Sequence, residues 1–323
     1  MAPTFPTSLP EFQRVFPTDA ACEAYLEAIR WPDGFVCPSC GVVGEPYRFA
    51  TRSSVVLRCR VCKKNASLTA GTVMQSSHTP LSTWFWGAYL MTTQTPGMSA
   101  VQFQRQLGLT RYETAFQILH KLRAGMVRPD RDTIGTDHPV EMDECFVGGA
   151  TRGQGHGVHN KTMVVGAVEV RTRKQDAKAH KRSVYAGRLR LAMVPDRSAR
   201  TLTEFLTANV TPGAVVRTDG WVGYKDLAGY SHESLQLKGD PEKAEKHLPM
   251  IHLVFSNLKT WLDGTHHGRV ESKHLQAYLN EFVFRFNRRF YPMNSFNSVL
   301  GISAQTVPPT YEQLYSGEWA HSA

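Results

Sequence analysis

The chain has 323 residues, 41% of them hydrophobic and 20% charged, with a formal net charge of +9. That length allows two or three domains, and that composition excludes a disordered chain. No apolar run is long enough to span a bilayer and no basic-then-apolar start resembles a signal peptide, so a soluble, cytoplasmic protein with no membrane partner is expected. The positive excess favours a polyanionic partner such as nucleic acid.

Residues 1–30 carry Pro3, Pro6 and Pro10 and then a helical pattern over residues 19–29. Thr18 stands at its N-cap, and Ala21, Tyr25 and Ile29 recur at helical spacing. A turn at Trp31-Pro32-Asp33-Gly34 leads to Cys37 and Cys40, and a second Cys-x-x-Cys pair follows at Cys59 and Cys62. In a reducing compartment this spacing points to Zn2+ rather than to disulfides. With short strands at residues 47–49 and 55–57, residues 31–78 read as a zinc ribbon. So small a unit uses its metal in place of a core.

From Pro80 the composition changes. Residues 81–91 read as a strongly apolar helix, broken by Pro96-Gly97. Ser99 caps a helix through Val101, Phe103 and Leu107, and Gly108-Leu109-Thr110 is a tight turn. Thr110 then caps a helix through Ala115, Ile118, Leu119 and Leu122. That order is the helix-turn-helix signature, and it also describes an ordinary helical hairpin. Arg111, Lys121 and Arg123 supply donors suited to phosphates and base edges, which favours DNA contact.

Residues 140–149 read as a half-buried strand ended by Gly148-Gly149. Asp143 inside it needs a partner, because a buried carboxylate without one is costly or protonated. It caps a turn, pairs with a cation or ligates a metal. A Gly-rich loop follows at residues 151–161, then a buried strand at 163–170, a basic loop at 171–182 and a strand at 189–195, an antiparallel meander. The basic loop is a solvated segment, or lies over a phosphate backbone, or both. A helix over residues 199–208 starts near Ser198. The run 214–219 then ends in Asp219-Gly220, and the carboxyl end of a strand is where open α/β sheets place ligands. Asp219 is therefore the natural partner of Asp143.

Residues 241–262 read as a long helical region ending at Asp263-Gly264, with His252 and Lys259 on one face. A second helix covers residues 275–289. Tyr278, Phe282 and Phe286 line one side of it and Glu281, Arg285 and Arg288 another, a surface charge ladder or a brace for a site. The tail from residue 293, with Pro308-Pro309, reads as an arm.

Four of these stretches, Glu-Met-Asp-Glu-Cys-Phe-Val-Gly-Gly (141–149), Arg-Thr-Asp-Gly-Trp-Val-Gly-Tyr (217–224), Phe-Ser-Asn-Leu-Lys-Thr-Trp-Leu (255–262) and Glu-Phe-Val-Phe-Arg-Phe-Asn-Arg-Arg (281–289), resemble the zinc-ribbon DDE-type transposases of bacterial insertion sequences. The resemblance runs from about Phe35 to Arg289. It implies a multidomain α+β protein with an N-terminal zinc ribbon, a helix-turn-helix and an RNase H-like α/β catalytic core. The corresponding division is a helical segment at 1–30, the ribbon at 31–78, a helical DNA-binding region at 79–130, the catalytic domain at 135–292 and an arm at 293–323.

The same resemblance implies catalytic positions Asp143 and Asp219, a third at His252, and a phosphate-holding Lys259. It implies Mg2+ or Mn2+ as the catalytic metal, held by Asp143, Asp219 and His252. The third position is usually acidic, and Glu144, Glu271 and Glu281 stand as substitute carboxylates. Imidazole suits Mn2+ better than Mg2+. Arg285 and Arg288 join Arg111, Lys121 and Arg123 as expected DNA contacts. The implied partners are double-stranded DNA, as terminal inverted repeats and target, and further copies of the chain in a synaptic complex. The implied activity is metal-dependent cleavage and strand transfer at element ends. The competing readings are an inactive, domesticated DNA-binding regulator and a structure-specific nuclease.

Overall fold

The computed structural model describes residues 6–51, 55–128, 130–148, 161–174, 183–235, 247–267 and 270–317. It divides into two compact units, Met1–Arg128 with Arg288–His321, and Pro129–Asn287 with the last two residues. Both mix helix and sheet.

The first unit opens with α1 (Leu9–Val15) and α2 (Asp19–Arg30). Thr18 caps α2 by accepting from the Ala21 N–H at 3.4 Å. A small antiparallel sheet of β1 (Tyr47–Ala50), β2 (Val55–Arg58) and β3 (Asn65–Ser67) follows. The Arg30 guanidinium at the end of α2 donates to the carbonyls of Ser67, Leu68 and Ala70, which ties the exit of that sheet to the helix. Then come α3 (Leu81–Thr93), α4 (Ala100–Gln106) and α5 (Tyr112–Ala124).

Ser99 caps α4 as its position predicts. Thr110 does not cap α5: the cap position is Arg111, without a side-chain bond, and the Thr110 carbonyl accepts from Gln104 Nε2 at 3.4 Å. The turn between the two helices passes through Gly108 at φ +61°, a left-handed conformation that glycine adopts without a Cβ penalty.

The core of this unit is aromatic. Rings of Phe12, Phe16, Tyr25, Phe85, Tyr89 and Phe296 meet with centroids 4.4–6.4 Å apart. Phe296 lies on a helix, Pro292–Ser303, inside the stretch that reads as an arm. That helix packs with the N-terminal elements, and the Tyr25 hydroxyl donates to Asn297 Oδ1 at 2.8 Å. A last helix, Tyr311–Ser316, closes with a capping box at Thr310.

The second unit is built on a five-stranded sheet of β4 (Val140–Val147), β5 (Thr162–Thr172), β6 (Val184–Val194), β7 (Val215–Asp219) and β8 (Ser231–Leu235). The spatial order is β6-β5-β4-β7-β8, with β4 to β6 an antiparallel meander and β7 and β8 added in parallel. The helix α6 (Ala199–Asn209) covers one face. The helices α7 (Pro249–His266) and α8 (Ser272–Asn287) cover the other. With both faces covered, β5 is buried without a break from Val164 to Val170.

Side chains of β4 alternate accordingly. Val140 and Met142 join the α6 side, while Cys145 and Val147 join the side of α7 and α8. The edge strand β6 is closed off by amides of α8 rather than by another strand. Asn287 accepts from the Leu189 N–H and donates to its carbonyl, and Gln276 accepts from the Met193 N–H.

The helix α7 runs through Asp263-Gly264, where the sequence predicts a stop, and ends at His267 in the left-handed conformation (φ 52°). Of the stretches read as a Gly-rich loop, a basic loop and the start of that helical region, residues 149–160, 175–182 and 236–246 lie outside the described residues. Among the described residues no helix is long and apolar enough to cross a membrane.

Glu169 on β5 is 1% exposed yet fully engaged. Its carboxylate accepts from the N–H groups of Gly135 and Arg188 and from the guanidinium groups of Arg171 and Arg188. Burial alone would raise its pKa, but those bonds outweigh it and hold the group at about 2. A carboxylate lowered in this way stabilises the fold above its ordinary value near 4.5, and that contribution is lost as the pH falls towards 2. Glu169→Gln is expected to cost on the order of 3 kcal/mol at neutral pH and to flatten the stability curve between pH 4.5 and 2. Denaturant melts of both proteins across that window check it.

Candidate functional site

Two clusters of chemically capable side chains are present, one in each unit. In the first unit Cys37, Cys40, Cys59 and Cys62 bring their sulfurs within 4.8 Å of one another. Among the described residues this is the group of ligating side chains that converges so closely. Two knuckles of the same design hold them. The Cys37 N–H donates to the Val42 carbonyl and the Cys59 N–H to the Lys64 carbonyl, both at 3.0 Å. The Ser39 and Val61 N–H groups each point at the first sulfur of their knuckle at 3.4 Å. Each knuckle ends in a left-handed residue, Gly41 (φ 70°) and Lys63 (φ 60°).

Cys37 and Cys62 are 3.6 Å apart and Cys40 and Cys59 3.7 Å. Four sulfurs placed tetrahedrally at about 2.3 Å from one ion would be about 3.8 Å apart, so the cage fits zinc. Against the burial that would raise it, backbone N–H groups of Cys62 and Val61 and the neighbouring thiols bring the Cys59 thiol down to about 6.

The second cluster starts from β4. Glu141 and Asp143 are two residues apart and so share the face turned to α7. Glu141 is 1% exposed, and its Oε2 accepts from the N–H groups of Met250 and Ile251 at 2.7 and 2.9 Å. These are first-turn donors of α7, whose own cap position, Leu248, offers no side chain for them. Burial raises the pKa of Glu141, and those two N–H bonds oppose it.

One turn inside that helix, His252 places Nε2 3.0 Å from Asp143 Oδ2. The helix can come this near because the β5 partner of Asp143 is Gly166. A Cβ there would stand 2.9 Å from side-chain atoms of both Ile251 and Phe255.

Strand β7 brings the second carboxylate. The parallel pairs Val140 with Val216 and Glu141 with Arg217 set a register that, carried two residues on, puts Asp219 alongside Asp143. Asp219 Oδ1 accepts from the Trp221 N–H at 3.0 Å. Burial raises the pKa of Asp219 and the nearby charge of Asp143 adds to this, while Arg197 and His252 oppose it. Arg197 stacks 3.6 Å from the Trp221 ring centroid, and its carbonyl accepts from the indole N–H.

Of the three substitute carboxylates, Glu144 stands near enough to feel the charges of Asp143 and Asp219, and the other two are engaged elsewhere. Glu144 turns to the α6 side, accepts from the Tyr224 hydroxyl at 2.5 Å and is pushed up to about 7, chiefly by burial. Glu281 is wholly buried and bonded to Arg285 at 3.2 Å. Glu271 is exposed and paired with Lys273. Lys259 is exposed on α7, seven residues beyond His252.

The expected DNA contacts divide. Arg111 is exposed and Lys121 half-buried, whereas Arg123 is 2% exposed and not offered to a phosphate backbone in this conformation. Arg285 is turned inward, its side chain 12% exposed, over the Trp261 ring as well as against Glu281. Arg288 is half-buried, and burial with the nearby Arg128 lowers its pKa to about 10. Sequence reasoning missed Glu141, Arg197 and Tyr224. A signal existed for Glu141 alone, its two-residue offset from Asp143.

Comparison with known proteins adds the following. Residues 135–287 match the ISXO2-like transposase domain, and residues 17–65 match a transposase zinc-ribbon domain. An uncharacterized protein in transposable element ISH50 of Halobacterium salinarum is 24% identical over 293 residues, covering 84% of this chain and 92% of that protein.

The geometry generates three tests. Lys63→Gly removes a left-handed non-glycine residue and is expected to stabilise the zinc-loaded protein by about 1 kcal/mol with unchanged zinc stoichiometry. Gly41→Val, the opposite change in the other knuckle, is expected to weaken zinc retention against a chelator. Glu141→Ala strands two buried N–H donors and is expected to cost about 1–3 kcal/mol, read as a lower denaturation midpoint.

Proposed function

Because the chain belongs to the insertion-sequence transposases that carry a transposase zinc-ribbon domain and an ISXO2-like transposase domain, we propose that it cuts and joins DNA at the ends of its element through Asp143, Asp219 and His252. The observation that carries this reading is the register of β4 against β7, which sets the two aspartates side by side, with His252 Nε2 3.0 Å from Asp143.

The donor set fits a divalent cation. Two adjacent, half-buried carboxylates repel each other, and a cation between them removes that cost. Two carboxylates and an imidazole suit Mn2+, and Mg2+ when water fills the remaining positions. Bound there, such ions supply Lewis-acid stabilisation of the attacking and leaving oxygens of a phosphodiester.

The chain's own residues do the rest. Glu141 fixes the start of α7, so the half-buried His252 ring faces Asp143. Neutral His252 presents Nε2 as a ligating lone pair or, with that nitrogen protonated, holds Asp143 in place. Lys259, about 10 Å further along the helix, offers a point charge to a phosphate of the same strand. Trp221 orients Asp219 and carries Arg197 beside it.

The sheet order, three antiparallel strands extended by two parallel ones with helices on both faces, supports the RNase H-like reading of residues 135–292. The left-handed turn at Gly108 between α4 and α5 supports a helix-turn-helix within residues 79–130, with Arg111 and Lys121 as its phosphate contacts. Arg285 then serves to brace Glu281, and the ribbon joins the helical region in recognising terminal repeats. Joining two ends requires at least two copies of the chain.

Strand transfer of labelled DNA carrying the element's ends, with Mg2+ or Mn2+, tests the assignment. Asp143→Ala and Asp219→Ala are each expected to lower joining on the order of 10²–10³-fold, as is His252→Ala. His252→Glu is expected to keep activity and shift preference from Mn2+ towards Mg2+. Joining retained in His252→Ala removes that residue from the site. Hydrolysis without joining makes the protein a nuclease, and specific binding without cutting makes it a regulator.

A further inference from the structure

The two cysteine knuckles share a backbone and differ in what they display. Cys37-Pro38-Ser39-Cys40-Gly41-Val42 carries no Lys, Arg, Asp or Glu, while Cys59-Arg60-Val61-Cys62-Lys63-Lys64 carries three cations, all exposed. The left-handed end position is Gly41 in one and Lys63 in the other. Glycine takes that conformation without strain, and a residue with a Cβ does not. A lysine kept there points to a use for its side chain.

Strand register shows where these cations stand. Arg48 pairs with Leu57 and faces inward, since Leu57 is buried and the Arg48 guanidinium bonds Glu27 of α2. Tyr47, Phe49 and Arg58 therefore lie on the outer face, where Tyr47 pairs with Arg58 and the two rings are 44% and 48% exposed. The Arg60 guanidinium lies 4.9 Å and the Lys63 ammonium 5.5 Å from the Tyr47 ring centroid. Arg58 Nε donates to the Lys63 carbonyl at 2.8 Å, which joins the strand to the knuckle. Two cations are thus ordered on one ring before any ligand arrives, so less side-chain freedom is lost on binding. Residues 47–67 contain six Lys and Arg and no Asp or Glu. Among the described residues no ion pair neutralises Arg58, Arg60 or Lys63, in contrast to Arg48.

Cations gathered without acids match a ligand that repeats negative charge along its length. Arg123 and Arg285, expected to meet DNA, are turned inward in this conformation, and the ribbon offers exposed cations instead. We propose that the outer face of β1 and β2, with the second knuckle, grips the phosphate backbone of the element's end through Arg58, Arg60 and Lys63, Tyr47 holding the last two. The proposal rests on the reading of the chain as a transposase that binds its own ends, and it divides the labour within that binding. Phosphates carry no sequence, so the ribbon supplies affinity, and the reading of bases falls to other parts of the chain.

The test measures binding of the full, zinc-loaded chain to a duplex carrying the element's end and to a scrambled duplex, over a range of salt. Lys63→Gly and Arg60→Gln are each expected to weaken binding of both duplexes about five-fold near about 0.15 M salt, and to lower the salt slope by about 0.9. Zinc stoichiometry is expected to stay unchanged and Lys63→Gly to melt no lower than the unsubstituted chain, which separates lost affinity from lost fold. Arg48→Gln removes the same charge from the inner face and is expected to leave both affinities in place. Affinity unchanged in Lys63→Gly and Arg60→Gln overturns the proposal, while strand transfer by the unsubstituted chain keeps the transposase reading. A loss in Arg48→Gln as large as theirs reduces the effect to net charge and also overturns it. A loss confined to the element's end makes the face a reader of bases and overturns the backbone assignment. Self-association lost in sedimentation with DNA affinity intact makes it a contact between copies, and overturns the proposal as well. An unsubstituted chain that binds neither duplex overturns the transposase reading itself.

Discussion

A buried carboxylate at the start of a helix fixes the arrangement of the second unit. Glu141 accepts the Met250 and Ile251 N–H groups, so the first turn of α7 is fixed to the middle of β4. The charge is tolerated in the interior because helix N-terminal donors and the positive end of the helix dipole meet it. From that point strand and helix run the same way. Glu141 to Val147 spans about 20 Å at strand rise, and Met250 to Leu262 about 18 Å at helical rise. Residues far apart in sequence therefore stay paired along the whole length, Asp143 with His252 and then Val147 with Leu262.

The two units reach stability by different means. In the first, the cysteine knuckles are stitched by backbone bonds to sulfur and leave little apolar area to bury, so the ribbon depends on its metal. The helices around it depend instead on the aromatic cluster about Phe12 and Phe296. In the second unit the sheet buries its centre on both sides. One residue that departs from the apolar pattern, Glu169, is satisfied by four groups around it.

Much of this was legible in the sequence because the patterns are local. The four cysteines, the Asp143 strand, the meander and the Asp219 turn each announce themselves by spacing or by a breaker. The elements that were not legible lack a local signal. Ser231–Leu235 is a polar edge strand whose pairing comes from β7 and not from its own alternation. Leu9–Val15 hides behind its prolines, although Pro at the first helical positions is where a helix accepts it. Pro292–Ser303 is the exception, since Met293, Phe296, Val299 and Leu300 stand at helical spacing and reading the stretch as an arm passes over them; what they meet is seen only in the structure, where Phe296 enters the aromatic cluster.

In the site the same limit applies. The offset between Glu141 and Asp143 is visible in the sequence, but the partner of Glu141 lies 109 and 110 positions away. The burial of Arg123 and the inward turn of Arg285 depend on packing that a basic stripe does not disclose.

The parallel run of β4 and α7 also sets which changes in chain length the protein tolerates. One residue inserted between Glu141 and Asp143 would turn the aspartate to the opposite face of the sheet. One residue inserted between Ile251 and Lys259 would rotate everything beyond it by about 100° around the helix. Neither error is absorbed by a loop, since both segments are regular throughout. Between homologous chains, length variation should therefore fall outside these two segments, and their residue counts should stay fixed even where their side chains differ.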